Sequence, residues 1–461
     1  MITAALRRIR SLGRDRNASA GTKDSSPNHF ASDAERIRVT GKFTLEDIDL
    51  IVRTISEHDI VHGSPWDDLR SANLVLPDWF RHGLDPDSAE YARQQHELWK
   101  LLSARERTYA PEIDEKEAPL GDVDAVRRPA YYMRRDSETL RLAADQVIAT
   151  GMILKHSGLK PGDRALEYGA GFGQTALALA RLGVTVDTVD ISSTFCGYVR
   201  AQAEFFQAPL TAFEGRFGWN PRGEEKYDLI FFYEAFHHCV DFRSVVYDIK
   251  RHLEPGGRIL LVGEPILRGT NRYLPYPWGL RLDAEPIAQM RRYGWFELGF
   301  TEEYILRLFT DAGFIAKRID CEPSVHGSGY IFRLRGDKLL LSEQWFPDDI
   351  DAGWNNPEEH GRWTKGDARV LLDTTDNFRV LEIDAQNHHP IRQSVEFRYG
   401  DSVMAVEFRT GERKTITIGA ARKAPELAIR TRAHVPAERY ILRTQDTRKL
   451  GILIRSIAYR E

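Results

Sequence analysis

Hydrophobic positions pass through three patterns along this chain. Residues 41–128 read as helical: Thr44 and Asp47 stand at capping-box spacing before IDLIVRTI, and a second helix is predicted over 88–107 on Tyr91, Leu98, Leu101 and Leu102. An amphipathic helix is predicted over 137–156. Short apolar runs bounded by turn residues then alternate with helical segments. Ala165, Leu166 and Tyr168 open a buried strand after the Pro161-Gly162 turn. Further strands are predicted at VTVDTVD, 209–213, YDLIFFY, RILLVGEP, 314–319 and 330–334, with helices at 175–182, 193–206, 242–253 and 301–312. From residue 368 the period falls to two. ARVLLD, FRVLEI, SVEFRY, VMAVEFR, KTITIG, LAIRT, ERYILR and LGILIRSIAYR give about eight strands, the pattern of an all-β sandwich.

This pattern divides the chain into a disordered tail (1–40), an N-terminal helical cap (41–130), an α/β domain (131–335), a polar linker (336–366) and a β-sandwich (367–461). The tail carries Leu6, Ile9 and Leu12 beside arginines. It reads either as a solvated segment or as a weak membrane-surface contact. The composition is that of a soluble globular protein, 42% hydrophobic and 29% charged, with no apolar run long enough for a membrane span. Cys196, Cys239 and Cys321 are far apart without metal spacing, which favours a reducing, cytoplasmic setting over a disulfide framework. The net charge of −4 hides 12 Lys/Arg against 5 Asp/Glu in residues 412–461. That excess marks either an acidic partner or a solvated β-surface.

The candidate chemistry begins at residues 164–192. Gly169, Gly171 and Gly173 follow the first strand and lead into TALALARL, and the next strand ends on Asp190. Glycines let backbone approach a ligand closely, the helix start offers free N–H groups, and an acid after the second strand suits ribose hydroxyls. The spacing G-x-G-x-G differs from the dinucleotide G-x-G-x-x-G. Glu167, just before the turn, would repel a pyrophosphate and suits a cationic ligand.

Acidic-x-Gly-x-Gly-x-Gly, followed by an acid after the second strand, resembles motifs I and II of class I S-adenosylmethionine (SAM) methyltransferases. EAFHHC after the fourth strand resembles motif IV of their small-molecule and ubiquinone-type members. The resemblance spans residues 131–335. It implies a Rossmann-like seven-stranded sheet and SAM as cofactor. It places Glu167, Gly169, Ala170, Gly171, Gly173, Asp190 and Ile191 at the cofactor, with Glu214 near the adenine and Tyr132 over the methionine end. Arg216 departs from the family's usual Glu-Gly-Asp at 214–216. Glu234, His237 and His238 should stand beside the reactive methyl. The histidines are the candidate bases for a hydroxyl acceptor, because imidazole titrates near neutrality. No convincing metal-ligand set is apparent.

The stretch 266–300 interrupts the α/β pattern and carries Tyr273, Tyr276 and Trp278, which read as an aromatic lid over the acceptor or as packing. The β-sandwich looks like the small jelly-roll modules of carbohydrate-active proteins. Asp446 and Arg448 there fix a turn or a site. Glycan binding, homo-oligomerisation and scaffolding are its three readings. Together these features lead to an expectation of O-methylation on a sugar of a polysaccharide or glycosylated precursor. The alternatives are a small quinone- or polyketide-type metabolite, or a non-catalytic SAM-fold binding protein. Nucleic acid is excluded as a substrate, because the core shows no basic groove with interleaved aromatics and EAFH stands where amino-methylating DNA enzymes carry N/DPPY.

Overall fold

The computed structural model describes residues 27–57, 69–116, 124–133, 137–269, 272–334, 338–342, 353–372, 380–421, 424, 426–436 and 446–460. The amphipathic stretch expected at the N-terminus and the ERYILR strand lie outside these residues. The chain forms two compact units, one of residues 1–312 with 318–333 and one of 334–461 with 313–317.

The first unit opens with helix α1 (Pro27–Thr40), which corrects the expectation of a disordered tail through residue 40, since Ile37 is buried; strand β1 (Lys42–Phe43), helix α2 (Ile48–Glu57), strand β2 (Asn73–Leu74) and helix α3 (Ala89–Ser103) follow. The capping box forms as expected: Asp47 accepts from the Thr44 backbone N–H at 2.7 Å. Ser88 caps α3 by accepting the Tyr91 N–H. A short helix α4 (Pro111–Asp114) follows, then α5 (Ser137–His156).

The glycine unit forms as strand β3 (Arg164–Tyr168), helix α6 (Gln174–Ala180) and strand β4 (Thr185–Asp190). Helix α7 (Ser193–Phe206), β5 (Leu210–Glu214), β6 (Tyr227–Tyr233), α8 (Phe242–Arg251) and β7 (Leu253–Val262) come next. Strands β8 (Ile266–Leu267), β9 (Trp278–Leu280), helix α9 (Ala284–Tyr293) and β10 (Leu298–Thr301) make up the insertion. Helix α10 (Glu302–Asp311), β11 (Phe314–Ile319) and β12 (Gly329–Leu334) complete the main sheet.

The main sheet has seven strands in the order β11-β12-β7-β6-β3-β4-β5. The strands from β7 to β5 pair in parallel, and β12 is antiparallel to β7. The order reverses beside β3, which pairs with both β4 and β6. The crevice outside the carboxyl ends of these strands is where such sheets hold ligands. The aromatic runs supply the core: Tyr168, Phe231, Phe232 and Phe236 are fully buried, and Tyr168 stacks on Phe232 at 5.1 Å.

The insertion is a packed layer rather than a loop. Strands β8, β10 and β9 form their own sheet. Ile287, Ala288 and Met290 of α9 are buried, as are Leu98 and Trp99 of α3. Trp99 Nε1 donates to the Gly294 carbonyl at 3.0 Å, so the helical cap and the insertion form one body.

The second unit is a β-sandwich. Its strands are β13 (Lys338–Leu340), β14 (Trp354–Glu358), β15 (Gly361–Thr364), β16 (Asp367–Leu371), β17 (Val380–Gln386), β18 (Gln393–Tyr399), β19 (Ser402–Phe408), β20 (Arg413–Gly419), β21 (Glu426–Thr431) and β22 (Leu453–Arg460). One sheet runs β14-β15-β22-β17-β20, with β13 also on β22, and the other runs β16-β21-β18-β19. Leu381, Ile383, Val395, Phe397, Ile429 and Ile457 fill the space between them. The expected linker needs correction here, since β13, β14 and β15 fall within it. Trp354 packs in the sandwich core, and its indole donates to the Arg369 carbonyl at 2.8 Å. Asp446 and Arg448 pair with each other, and Arg448 also reaches Glu358 at 2.6 Å. They fix a turn.

Candidate active site

The glycine turn has the geometry its sequence demands. Gly169, Gly171 and Gly173 have φ of 69°, 53° and 66°, the left-handed region that glycine adopts without penalty. A Cβ on Gly169 would stand 2.6 Å from the Ala235 Cβ, and one on Gly173 would stand 2.6 Å from Val199. The turn is therefore pressed against the loop after β6 on one side and against α7 on the other.

Asp190 closes this end of the site. It is 8% exposed. Oδ2 accepts the Gly171 N–H at 2.9 Å and Oδ1 accepts the Ser192 N–H at 2.8 Å, so the carboxylate is aimed by backbone. The other acid of β4, Asp187, is held by Arg222 and the Tyr227 hydroxyl and serves packing. Gly169, Gly171, Asp190 and Ile191 all line one cavity of about 810 Å³.

The opposite wall of that cavity is made by the loop that leaves β6. Glu234 has φ of 50°, a strained conformation for a non-glycine residue and one found most often at functional positions. Its Oε1 lies 2.5 Å from His326 Nδ1. The next residues are clamped by Glu264, which follows β7. Glu264 Oε1 accepts the N–H groups of Ala235 and Phe236, both at 2.8 Å. Its Oε2 accepts the His237 N–H at 3.1 Å and lies 2.7 Å from His237 Nδ1. One buried carboxylate thus fixes both the loop and the imidazole.

Two further carboxylates complete a cluster. His237 Nε2 faces Glu297 Oε2 at 3.8 Å, and His238 Nδ1 approaches Glu115 Oε2 at 3.2 Å. Glu115 is itself held by the Tyr109 hydroxyl at 2.7 Å and the Phe296 N–H at 2.6 Å. Burial alone would push the His238 imidazole down, but Glu115, Glu297 and Glu264 outweigh it and raise its pKa to about 9. The direction of that shift runs against the expectation that His238 acts as a base.

Other expected residues stand away from the cavity surface. Glu167 is buried behind the turn, where Oε2 accepts the Ala176 N–H at 3.2 Å in the first turn of α6. Burial, with Asp190 adding, raises its pKa to about 8. It supports the helix start rather than facing a ligand. Gly173 is the N-cap of α6, and neither it nor Ala170 is part of the cavity wall. Glu214 ends β5 in register with Asp190 but lies outside the wall, whereas Gly215 and Arg216 are part of it.

Tyr132 is 53% exposed, and its ring rests on Tyr131 at 4.4 Å. It is Tyr131 that packs toward Phe172 and Trp295. Of the three aromatics assigned to the acceptor, none lines the cavity. Trp278 is buried between Tyr91 and Phe242. Tyr276 is 70% exposed, and the Tyr273 hydroxyl accepts from Arg272. The insertion instead presents Arg281, Glu285, Gln289, Trp295 and Glu297. Cys196, Cys239 and Cys321 are buried free thiols. Among the described residues, no helix is long and apolar enough to cross a membrane.

Sequence reasoning missed Glu115, Glu264, Glu297 and His326. Glu264 carried one usable signal, an acid directly after an apolar parallel strand, at the edge where ligands bind. The other three stand in no motif.

Residues 166–261 match the family model of a methyltransferase domain. A 27-O-demethylrifamycin SV methyltransferase of Amycolatopsis mediterranei is 29% identical over 164 residues, covering 34% of this chain and 56% of that protein. A protein-L-isoaspartate O-methyltransferase of Methylorubrum extorquens is 31% identical over 134 residues, covering 28% of this chain and 55% of that protein. The solved YcgJ protein of Bacillus subtilis aligns with a TM-score of 0.31 at 20% identity, over 37% of this chain and 70% of its own. The chain spans about half the length of the curated relatives it matches.

Proposed function

We propose that this chain is an S-adenosylmethionine-dependent O-methyltransferase whose acceptor is a sugar hydroxyl of a polysaccharide or glycosylated precursor. One observation carries the reading: the glycine turn with Asp190 and the histidine–carboxylate cluster open onto a single cavity of about 810 Å³. The residues at the first end fit a nucleoside. The backbone at Gly169 and Gly171 reaches the cavity without a side chain, and Asp190 is positioned by Gly171 and Ser192 to accept from ribose hydroxyls. SAM supplies a methyl group on a sulfonium, already activated toward a nucleophile.

The chain's own residues do the rest. The cap contributes Glu115 to the cavity wall, and the insertion contributes Gln289, Trp295 and Glu297. Glu264 holds the loop of residues 235–237, so that the histidines meet the acceptor in one orientation. The cluster of His237, His238, Glu115 and Glu297 governs the proton that an attacking hydroxyl must shed. The cavity wall carries both signs of charge: Glu285 and Glu297 stand on it with Arg281, itself paired to Asp283, and so do Lys116, Arg268 and Arg318. Donors and acceptors of both kinds suit a hydroxyl-rich acceptor. The β-sandwich then serves glycan binding or assembly of copies.

A second reading, methylation of a small metabolite, is favoured by the relative named for demethylrifamycin. Calorimetric titration with S-adenosylhomocysteine tests the cofactor, and micromolar binding is expected. Transfer of tritiated methyl to methyl glycosides and to a hydroquinone then separates the acceptor classes. Labelled glycoside is expected, and labelling of the hydroquinone alone would replace the sugar reading with the second.

A further inference from the structure

The histidine–carboxylate cluster sets electron pairs against one another. His237 Nδ1 is 2.7 Å from Glu264 Oε2, so Nδ1 donates to that carboxylate and Nε2 is the nitrogen left for another partner. That nitrogen faces Glu297 Oε2 at 3.8 Å, beyond hydrogen-bond reach. On the next residue, His238 Nδ1 is buried and makes no hydrogen bond, although Glu115 Oε2 is 3.2 Å away. The 3-10 turn Phe236–His238 is what brings the two rings to one side, with centroids 4.3 Å apart. One ligand atom each from His237, His238 and Glu297 lies within 4.8 Å of the other two.

We propose that His237, His238 and Glu297 bind a divalent transition-metal cation of the zinc class. Two imidazoles and a carboxylate match its preferred donors. Bonds of about 2.0–2.2 Å place the ligands of a tetrahedral ion about 3.4 Å apart, so donor atoms now within 4.8 Å of one another close in by up to about 1.4 Å. Glu264 stands behind His237 as carboxylates do at metal-bound histidines, fixing the tautomer and the ring. The ion would draw an acceptor hydroxyl and lower its pKa, the proton passing to water. This role rests on the methyltransferase reading, whereas binding of the ion does not.

The test uses the full chain, stripped with chelator and desalted. Zinc chloride is titrated by calorimetry, bound metal is counted by mass spectrometry, and S-adenosylhomocysteine is titrated in parallel. One zinc per chain is expected. Glu297→Gln and His237→Ala should abolish it, and Glu264→Gln should weaken it about 10- to 100-fold, with nucleoside binding and circular dichroism unchanged. A wild-type chain that binds no zinc, or a Glu297→Gln variant that binds it equally, overturns the proposal. Zinc binding without S-adenosylhomocysteine binding would instead count against the methyltransferase reading alone.

Discussion

Replacing Glu264 by glutamine removes one charge and one acceptor while keeping the shape of the side chain. In the wild type, Oε1 takes two backbone N–H groups at 2.8 Å, and Oε2 takes the His237 N–H at 3.1 Å and the ring nitrogen at 2.7 Å. The glutamine oxygen can keep the first pair. Its NH2 then faces the His237 N–H, which loses its acceptor inside the protein, and it donates to Nδ1 only if the ring proton moves to Nε2. A buried donor left unpaired costs about 1–3 kcal/mol, so Glu264→Gln should lose about that much in urea unfolding followed by tryptophan fluorescence. Glu264→Ala strands all four groups and should lose more than about 4 kcal/mol. The same tautomer shift blocks Nε2, so zinc binding should fall while the fold persists. A Glu264→Gln protein within about 0.5 kcal/mol of wild type would refute the clamp.

Three further outcomes follow from the geometry. Glu167 has its folded-state pKa raised from 4.5 to about 8; the stability this contributes is full below pH 4.5 and is lost as pH rises through 8. The stability of Glu167→Gln relative to wild type should therefore increase between pH 5 and pH 8.5 in thermal melts, and parallel pH profiles would remove Glu167 as a buried titrating group. Gly169→Ala puts a Cβ 2.6 Å from Ala235 at φ of 69°. It should cost about 1–3 kcal/mol and weaken S-adenosylhomocysteine binding in calorimetry; wild-type stability and affinity would contradict the close approach. Tyr276→Ala removes an exposed ring outside the cavity and should leave methyl transfer within about twofold of wild type, whereas a large loss of kcat/KM would restore the lid.

The parts legible in the sequence are those whose physics is local. The glycine turn and Asp190 lie in one strand–turn–helix–strand unit, so spacing alone placed both at the carboxyl edge of the sheet. EAFHHC sits directly after an apolar strand and was readable for the same reason. Glu115, Glu264 and Glu297 come from three separate elements and meet the histidines only once the sheet and insertion are folded. The aromatics of the insertion misled because stacking on a ligand and stacking on a neighbour leave the same composition: Trp278 is satisfied by Phe242 at 5.2 Å and Tyr91 at 5.0 Å. The supposed linker hid three strands because Trp354 and Trp363 are separated by polar turn residues, and β13 and β15 pair with β22 across roughly 90 to 120 positions, which leaves no local period.

The most direct test of the account is the affinity of S-adenosylhomocysteine for the wild-type chain and for Asp190→Ala, measured by calorimetry on proteins of equal circular dichroism. The account predicts micromolar binding by the wild type and a loss of at least about tenfold in the variant, since hydrogen bonds to a charged group contribute about 1.5–3 kcal/mol each. Equal affinities would contradict the assignment of Asp190 to the ribose. A wild-type chain that does not bind at all would contradict the methyltransferase reading itself.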